Sequence, residues 1–520
     1  MNTNTAQILI AMASYMVFVI GIGIAFARRA NRSSADYFLG GRSLGPWVTA
    51  MSAEASDMSG WLLMGLPGVA YWYGLSDAAW TAIGLAVGTY LNWLIVSKRL
   101  RQYSIKAGNS ITLPEFFSNR FRESKKIIMT ISALFILVFF TVYAASCLVT
   151  CGKLFSTLFD APYVFMMILG AVFVLIYTIV GGFLAESASD FMQAIVMVVA
   201  LTAIVVVGGY VAGGLGAVVE NAKNIPGFFE FFGIANPMVD ESGVQVIKDS
   251  APLFGKPSGY GFITILSTLA WGLGYFGMPQ VLLRFMAIRS TNELTYSRRI
   301  AAVWVVISLS VAVFIGIIGR VAYPAALTTA SEAERIFILM STKLLPPLLA
   351  GLAMAGILAA TISSSDSYLL IAASALSKNI YQGICKKRAS DKEVMRVSRI
   401  TLLIITIIAI FIALDEKSVI FTIVSFAWAG FGATFGPLML FSLFWKRINR
   451  AGAVAGMLGG GGMVFFWKLV IRPLGGAWNI YELLPAFIFS CILIVAVSLL
   501  TPPPSEQLQK EFDEVSTAKA

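Results

Sequence analysis

The chain of 520 residues contains no histidine, four cysteines and only 12% charged residues. Without histidine there is no imidazole metal site, no Ser–His–Asp catalysis and no imidazole proton relay. No nucleotide-binding loop or paired catalytic motif stands in a credible context either, so an intramembrane enzyme is the weakest reading and the protein is expected not to be an enzyme. The cysteines are Cys147, Cys151, Cys385 and Cys491. Cys147 and Cys151 lie one helical turn apart in an apolar run, where they read as small apolar filler rather than a disulfide or metal framework. A soluble domain carries about 25% charged residues, so the scarcity of charge argues against a soluble fold. The net charge of +11 invites a nucleic-acid partner. The basic residues lie in loops between apolar runs, which the positive-inside rule explains better, and no nucleic acid is implied.

What the chain has is oil. It is 58% hydrophobic, with a mean hydropathy of +0.81. Apolar runs of about 20 residues, the length that spans a bilayer as a helix, recur from end to end. They predict an all-α polytopic membrane protein with 13 spans near 7–27, 46–72, 77–97, 127–151, 162–182, 190–213, 258–282, 301–322, 347–376, 399–414, 418–444, 451–471 and 482–501. The first run ends in Arg28 and Arg29 and has no basic region before it, so it reads as a retained span. An odd count puts the termini on opposite sides. With the N-terminus outside, 28 of the 38 basic residues, Arg28, Arg29, Arg32 and Arg42 among them, fall in the inner loops and the tail 502–520. This predicts N-out, C-in in the plasma membrane. The outer segment 214–257 is long and glycine-rich, 323–346 suits a short interfacial helix, and the tail is too short and polar to pack a core. No obligate protein partner is evident; the partner is the lipid bilayer.

Three segments interrupt the apolar pattern: SAEASDMSGWLLMGLPG (52–68), TLAWGLGYFGMPQVLLRF (268–285) and AATISSSDSYLL (359–370). A charge at the bilayer centre costs roughly 2.5–3.5 kcal/mol on insertion scales, so Glu54, Asp57 and Asp366 are expected to face a polar interior. Glycine and proline free backbone carbonyls, which membranes tolerate only where they line a cavity or bind something. Freed carbonyls and hydroxyls suit a hard cation, and the positive end of a half-helix suits a carboxylate. Plainer readings exist for each residue: small residues pack helices, acids at span ends are interfacial, Glu54 pairs with a basic neighbour, and Trp271 and Tyr275 belong to an aromatic belt. The second and seventh spans are five apart, so units 2–6 and 7–11 have opposite orientation, the inverted-repeat arrangement of secondary transporters.

FLGGRSLGPWVTAMSAEASDMSGWLLMGLPG resembles the signature of the sodium:solute symporter family, most closely its proline-carrying members. The likeness continues in order through SITLPEFFSNRF, FFTVYAASC, IVGGFLAESASDFMQA, WGLGYFGMPQVLLRFMA, AATISSSDSYLLIAASAL and SFAWAGFGATFGPLMLFSLFW. It implies a LeuT-type core of 5+5 inverted repeats with flanking helices, and alternating access. The parts would be a first helix and inner loop (1–45), repeats at 46–213 and 258–444 around the outer loop, two further helices (445–501) and the tail. It also implies symport of Na+ with L-proline. The sodium would be held by the carbonyls of Ala55, Met58 and Ala360 and the hydroxyls of Ser363 and Ser364, with Asp57 in support. The substrate would lie among Ser59, Gly60, Trp61, Tyr143, Trp271, Tyr275 and Pro279, and Asp190 would stand near the inner end of the cation route. Glu54 departs from the family where a small residue is expected, Ser364 stands where threonine is frequent, and Tyr368 stands where glutamine is expected. Two alternatives stay open: a symporter of another small carboxylate such as pantothenate or a different amino acid, and a sodium-gated sensor or channel. A sensor would need a fused signalling domain, and a channel would not accumulate solute uphill.

Overall fold

A backbone in hydrocarbon must close its hydrogen bonds within its own helix, and the computed structural model, which describes residues 3–30 and 33–517, is built on that rule. Arg32 lies outside the described residues. The spans, in order, begin with Thr3–Ala30 and the broken helix Pro46–Gly60, Trp61–Gly65, Leu66–Tyr73. Leu75–Lys106, Ile127–Phe159, and Tyr163–Val211, which holds the fifth and sixth, follow. The seventh is the bent pair Phe262–Gly277 and Pro279–Ala287, and the eighth is Leu294–Ala322. Pro347–Cys385, Asp391–Ile412, Ile420–Phe444, Arg450–Leu474 and Leu483–Leu500 complete the set. Ten of the described helices are long and apolar enough to cross a membrane by themselves, and the bent pair makes an eleventh. The shorter helix Tyr163–Ile179 and the broken second span bring the count to the expected 13.

Three placements differ from the sequence reading. The residues 183–189 were expected to join two spans. Instead the chain turns once at Gly182 (φ 63°, ψ 177°) and resumes as helix, which carries FLAESASD into the interior. A single glycine with positive φ makes the turn that was expected to need a loop. Arg284, grouped with the inner loop, is fully buried within the half-helix Pro279–Ala287. The tail is also not idle: Glu506–Thr517 is a helix whose Leu508, Phe512 and Val515, at i, i+4 and i+7, are buried against the inner surface.

Salt bridges Lys106–Glu514 (2.6 Å) and Lys446–Asp513 (2.5 Å), together with Arg122–Glu511, surround that contact. Exposed pairs contribute little. The anchor is Phe512, whose ring lies 5.0 Å from the Arg99 guanidinium and 5.7 Å from that of Arg120. Phe512→Ala should therefore release the tail, at a cost of about 2 kcal/mol for the lost burial. Faster trimming of the tail by protease in inside-out vesicles checks this; unchanged trimming would show that the charges hold it alone.

The outer surface is sealed by a buried ion pair. Lys153 donates to Glu334 Oε2 at 2.6 Å and to the Ser418 carbonyl at 2.8 Å, while Glu334 accepts from the backbone of Ile420 and Phe421 at 3.0 Å each. The fourth span, the outer segment 323–346 and the start of the eleventh span are thereby tied at one point. That segment forms helices at Ala330–Ala333 and Ile336–Leu344. Its inner residues are buried rather than merely interfacial, because Ile336, Phe337, Ile338 and Met340 join the core.

Candidate functional site

The second span breaks where SAEASDMSG placed its helix-weakening residues. Ser59 takes φ 48°, ψ −171°, a left-handed conformation that interrupts the helix between Met58 and Trp61. The Trp61 N–H turns to the carbonyls of Met58 and Ser59. The Asp57 carbonyl then accepts instead from two tyrosines, Tyr143 at 3.3 Å and Tyr368 at 3.4 Å. Facing the break is the ninth span. Ser363 Oγ donates to the Ala55 carbonyl at 2.9 Å and approaches the Ala360 carbonyl at 3.2 Å, and Ser364 Oγ reaches Ala55 at 3.3 Å. Four of the five oxygens expected around sodium are thus in mutual contact, and Met58 supplies its carbonyl from the break itself. No described group of three or more His, Cys, Asp or Glu side chains is arranged to hold a metal. An ion at this point relies on neutral oxygens, which suits a weakly charged, hard monovalent cation.

Asp57 does not stand in that group of oxygens. Its carboxylate accepts from Tyr275 Oη at 2.7 Å and Gln280 Nε2 at 3.2 Å, so it braces the second span against the seventh. It is 2% exposed, as is Asp366, so neither is an interfacial acid. Glu54 has no basic partner; its Oε1 accepts from Trp93 Nε1 at 3.2 Å.

Above Asp57 lies a small cavity of about 200 Å³, lined by Asp57, Met58, Trp61, Tyr143, Trp271 and Tyr275, with Leu85, Val424 and Trp428 completing it. Trp61 and Trp271 are 5.7 Å apart, Trp61 stacks on Phe421 at 5.9 Å, and Trp271 stacks on Tyr481 at 5.1 Å. Trp271 and Tyr275 are buried, not members of a surface belt. The wall holds its shape because the seventh span runs as a 3₁₀ segment over Ala270–Gly277, where Trp428 Nε1 donates to the Trp271 carbonyl at 2.8 Å. The half-helix Pro279–Ala287 then begins with proline in its first turn, and the two pieces meet at 42°. Of the expected substrate residues, Trp61, Tyr143, Trp271 and Tyr275 line this cavity. Ser59 forms the break, Gly60 packs against Thr150, and Pro279 starts the half-helix, each beside the cavity rather than in its wall. Trp428, from SFAWAGFGATFGP, was not singled out by the sequence reading; its signal was a tryptophan in a run of small residues.

Asp190 lies below the break. It accepts from Ser52 Oγ at 2.7 Å and from Arg284 at 3.3 Å, while its Oδ1 has no partner. Arg284 also donates to Ser52 at 3.0 Å, to the Gln280 carbonyl at 3.1 Å, to Ser367 at 2.9 Å and to Glu186. The sequence reading passed over Arg284 and Glu186, since no local pattern tells a buried arginine from a loop arginine.

A family model described as sodium:solute symporter family matches residues 37–460. A sodium/proline symporter of Haemophilus influenzae is 42% identical over 517 residues, covering 98% of each chain. A sodium/proline symporter of Staphylococcus aureus is 39% identical over 515 residues, covering 98% of this chain and 96% of its own. Among solved structures, a substrate-bound, outward-open Na+-coupled sialic acid symporter matches with a TM-score of 0.77 at 19% identity, over 96% of this chain and 99% of its own. MhsT in complex with L-phenylalanine matches with a TM-score of 0.53 at 14% identity, over 86% of this chain and 98% of its own. Likeness at these identities carries the fold, and the fold is the LeuT-type symporter architecture.

Proposed function

The chain belongs to the sodium:solute symporter family, and from that membership we propose that it imports L-proline together with sodium by alternating access. The observation that carries the reading is the meeting of the Ala55 carbonyl, freed at the break in the second span, with the hydroxyls of Ser363 and Ser364. Sodium takes the place of the hydroxyl hydrogens, ligated by Ala55, Met58, Ala360, Ser363 and Ser364. Because these ligands belong to both the second and the ninth spans, the ion holds the two together, and Asp57 keeps the broken piece in register through Tyr275 and Gln280. Asp190, with an oxygen still free, serves the ion's route toward the inner side.

Proline fits the neighbouring cavity by chemistry. Its ring is apolar and rigid and suits the box of Trp61, Trp271, Tyr143 and Trp428. Its secondary ammonium meets carbonyls or an aromatic face, and its carboxylate meets amide N–H groups at the helix breaks. The protein lies in the plasma membrane with its N-terminus outside and its tail in the cytoplasm. It carries out no covalent chemistry and needs no protein partner. The driving force is the ion gradient, about 2.3 kcal/mol per charge per 100 mV plus a concentration term. The outward positions of the Lys153–Glu334 latch and the Trp61–Phe421 stack suit them to seal the cavity once both solutes are bound.

Liposomes containing only this protein, given a sudden inward sodium gradient, should accumulate labelled proline uphill. Unlabelled pantothenate should not compete, and uptake that ignores sodium would sink the reading. In the same system Ser363→Ala should raise the sodium concentration for half-maximal uptake about tenfold, the equivalent of one lost ion contact of about 1.4 kcal/mol. Proline recognition at saturating sodium should change far less. Equal loss of both would mean that Ser363 serves packing.

A further inference from the structure

A second set of oxygens surrounds the Asp57–Tyr275 bond, on the side away from Ser363. Glu54 and Asp57 are three residues apart on one helix and therefore share a face. Glu54 is 1% exposed; Trp93 occupies Oε1, and Oε2 has no partner. Asn92, beside Trp93, donates Nδ2 to the Tyr275 carbonyl at 3.0 Å and leaves Oδ1 without a partner. Gln280 donates Nε2 to Asp57 at 3.2 Å and leaves Oε1 without a partner. The orientation of both amides is set by chemistry, because a carbonyl and a carboxylate can only accept. The circuit closes on itself: Glu54 to Trp93, its neighbour Asn92 to Tyr275, Tyr275 to Asp57, Gln280 to Asp57, and Asp57 one turn from Glu54. Thr89, three residues before Asn92, is buried with its hydroxyl unpartnered as well.

Each member of this circuit has used its donor and retains an oxygen. A buried acceptor without a partner costs about 1–3 kcal/mol, and several in one place point to a missing positive guest. No basic side chain fills the role: the hydrogen bonds of Arg284, the base nearest in the seventh span, go to Ser52, Gln280 O, Ser367, Glu186 and Asp190. A proton would satisfy Glu54 and leave the oxygens of Asn92 and Gln280 as they were. A hard cation of low charge, able to take several oxygens at once, satisfies all of them.

We propose that Glu54, Asn92 and Gln280, together with Asp57, form a second sodium site between the second, third and seventh spans, so that two sodium ions travel with each substrate molecule. Both ions then share the broken second span, one on each face, and Asp57 links them through the seventh. The proposal rests on the sodium-coupled reading above, and its signature is separate. The absence of any sodium dependence defeats both; the coupling ratio tests this proposal alone.

The ratio is read in liposomes holding the full chain, with a fixed proline gradient and the sodium gradient varied until net proline flux is zero. The wild type should balance as two sodium ions per proline and Glu54→Gln as one. Radiolabelled sodium binding to the purified protein should fall from two ions per chain to one in the same variant. A wild-type ratio of one, whether or not a proton accompanies it, overturns the proposal, and this measurement needs no variant to fold. A ratio of two that persists in both Glu54→Gln and Asn92→Ala overturns it too.

Discussion

Arg284→Met should nearly abolish the mature protein in the membrane. Arg284 is fully buried, and its guanidinium is the common partner of Ser52, Ser367, Glu186, Asp190 and the Gln280 carbonyl. The ring of Phe183 covers it at 4.9 Å. Methionine of similar reach fills the space but strands the Glu186 and Asp190 carboxylates in the interior, with Asp366 close behind. Removing one partner of a buried ion pair costs about 3–5 kcal/mol, because the other charge is left uncompensated. Here one cation serves two acids. Most of a folded protein's net stability is about 5–15 kcal/mol, so the loss is large. Arg284→Lys should not rescue fully, since a single ammonium cannot reproduce a planar fork that reaches five acceptors. Abundance in isolated membranes and thermal unfolding in detergent measure the effect. Pairing Arg284→Met with Glu186→Gln should recover part of the loss. Unchanged abundance in the single variant would show that the two acids are already neutral.

The second large effect is expected from Gly88→Val. Gly84 and Gly88, one turn apart on the third span, let its backbone lie directly against the seventh. A Cβ at Gly88 would come within 2.3 Å of the Gly272 carbonyl oxygen, and one at Gly272 within 2.2 Å of the Gly84 carbonyl oxygen. Such contacts with backbone cannot be relieved by a rotamer change. The seventh span must retreat, and it carries Trp271 and Tyr275 with it. The Asn92–Tyr275 and Tyr275–Asp57 bonds would lengthen together. Overpacking costs about 1–3 kcal/mol, and uptake per molecule in the membrane should fall more than tenfold. Gly462→Ala, where a Cβ meets nothing within 4 Å, is the matched control and should transport normally. Normal uptake by Gly88→Val would mean that the aromatic wall tolerates displacement.

Much of this molecule was legible along the chain. Apolar runs marked the spans because hydrocarbon allows few other backbone structures. SDMSG and WGLGYFGMP marked the breaks because glycine, serine and proline weaken a helix wherever they crowd. The family signature then pointed to Ala55, Ser363 and Ser364, which the fold brings into contact. Less legible were the residues whose meaning depends on distant partners. Arg284 looked like an inner-loop charge, Glu186 like part of a connection, and the tail like a polar fringe. In each case the local pattern was compatible with both readings, since a helix face is read from spacing and a partner is not.

The one-dimensional order of apolar and small residues settled that the protein is helical, where it crosses the membrane and where two crossings fail to be continuous; these are matters of local hydrogen bonding and transfer from water. Only the folded arrangement decided which oxygens face one another. Ser363 reaches a carbonyl 308 positions earlier in the chain, and Arg284 an acid 98 positions earlier. Contacts at that separation depend on how helices pack and cross, and no short stretch of residues contains that geometry.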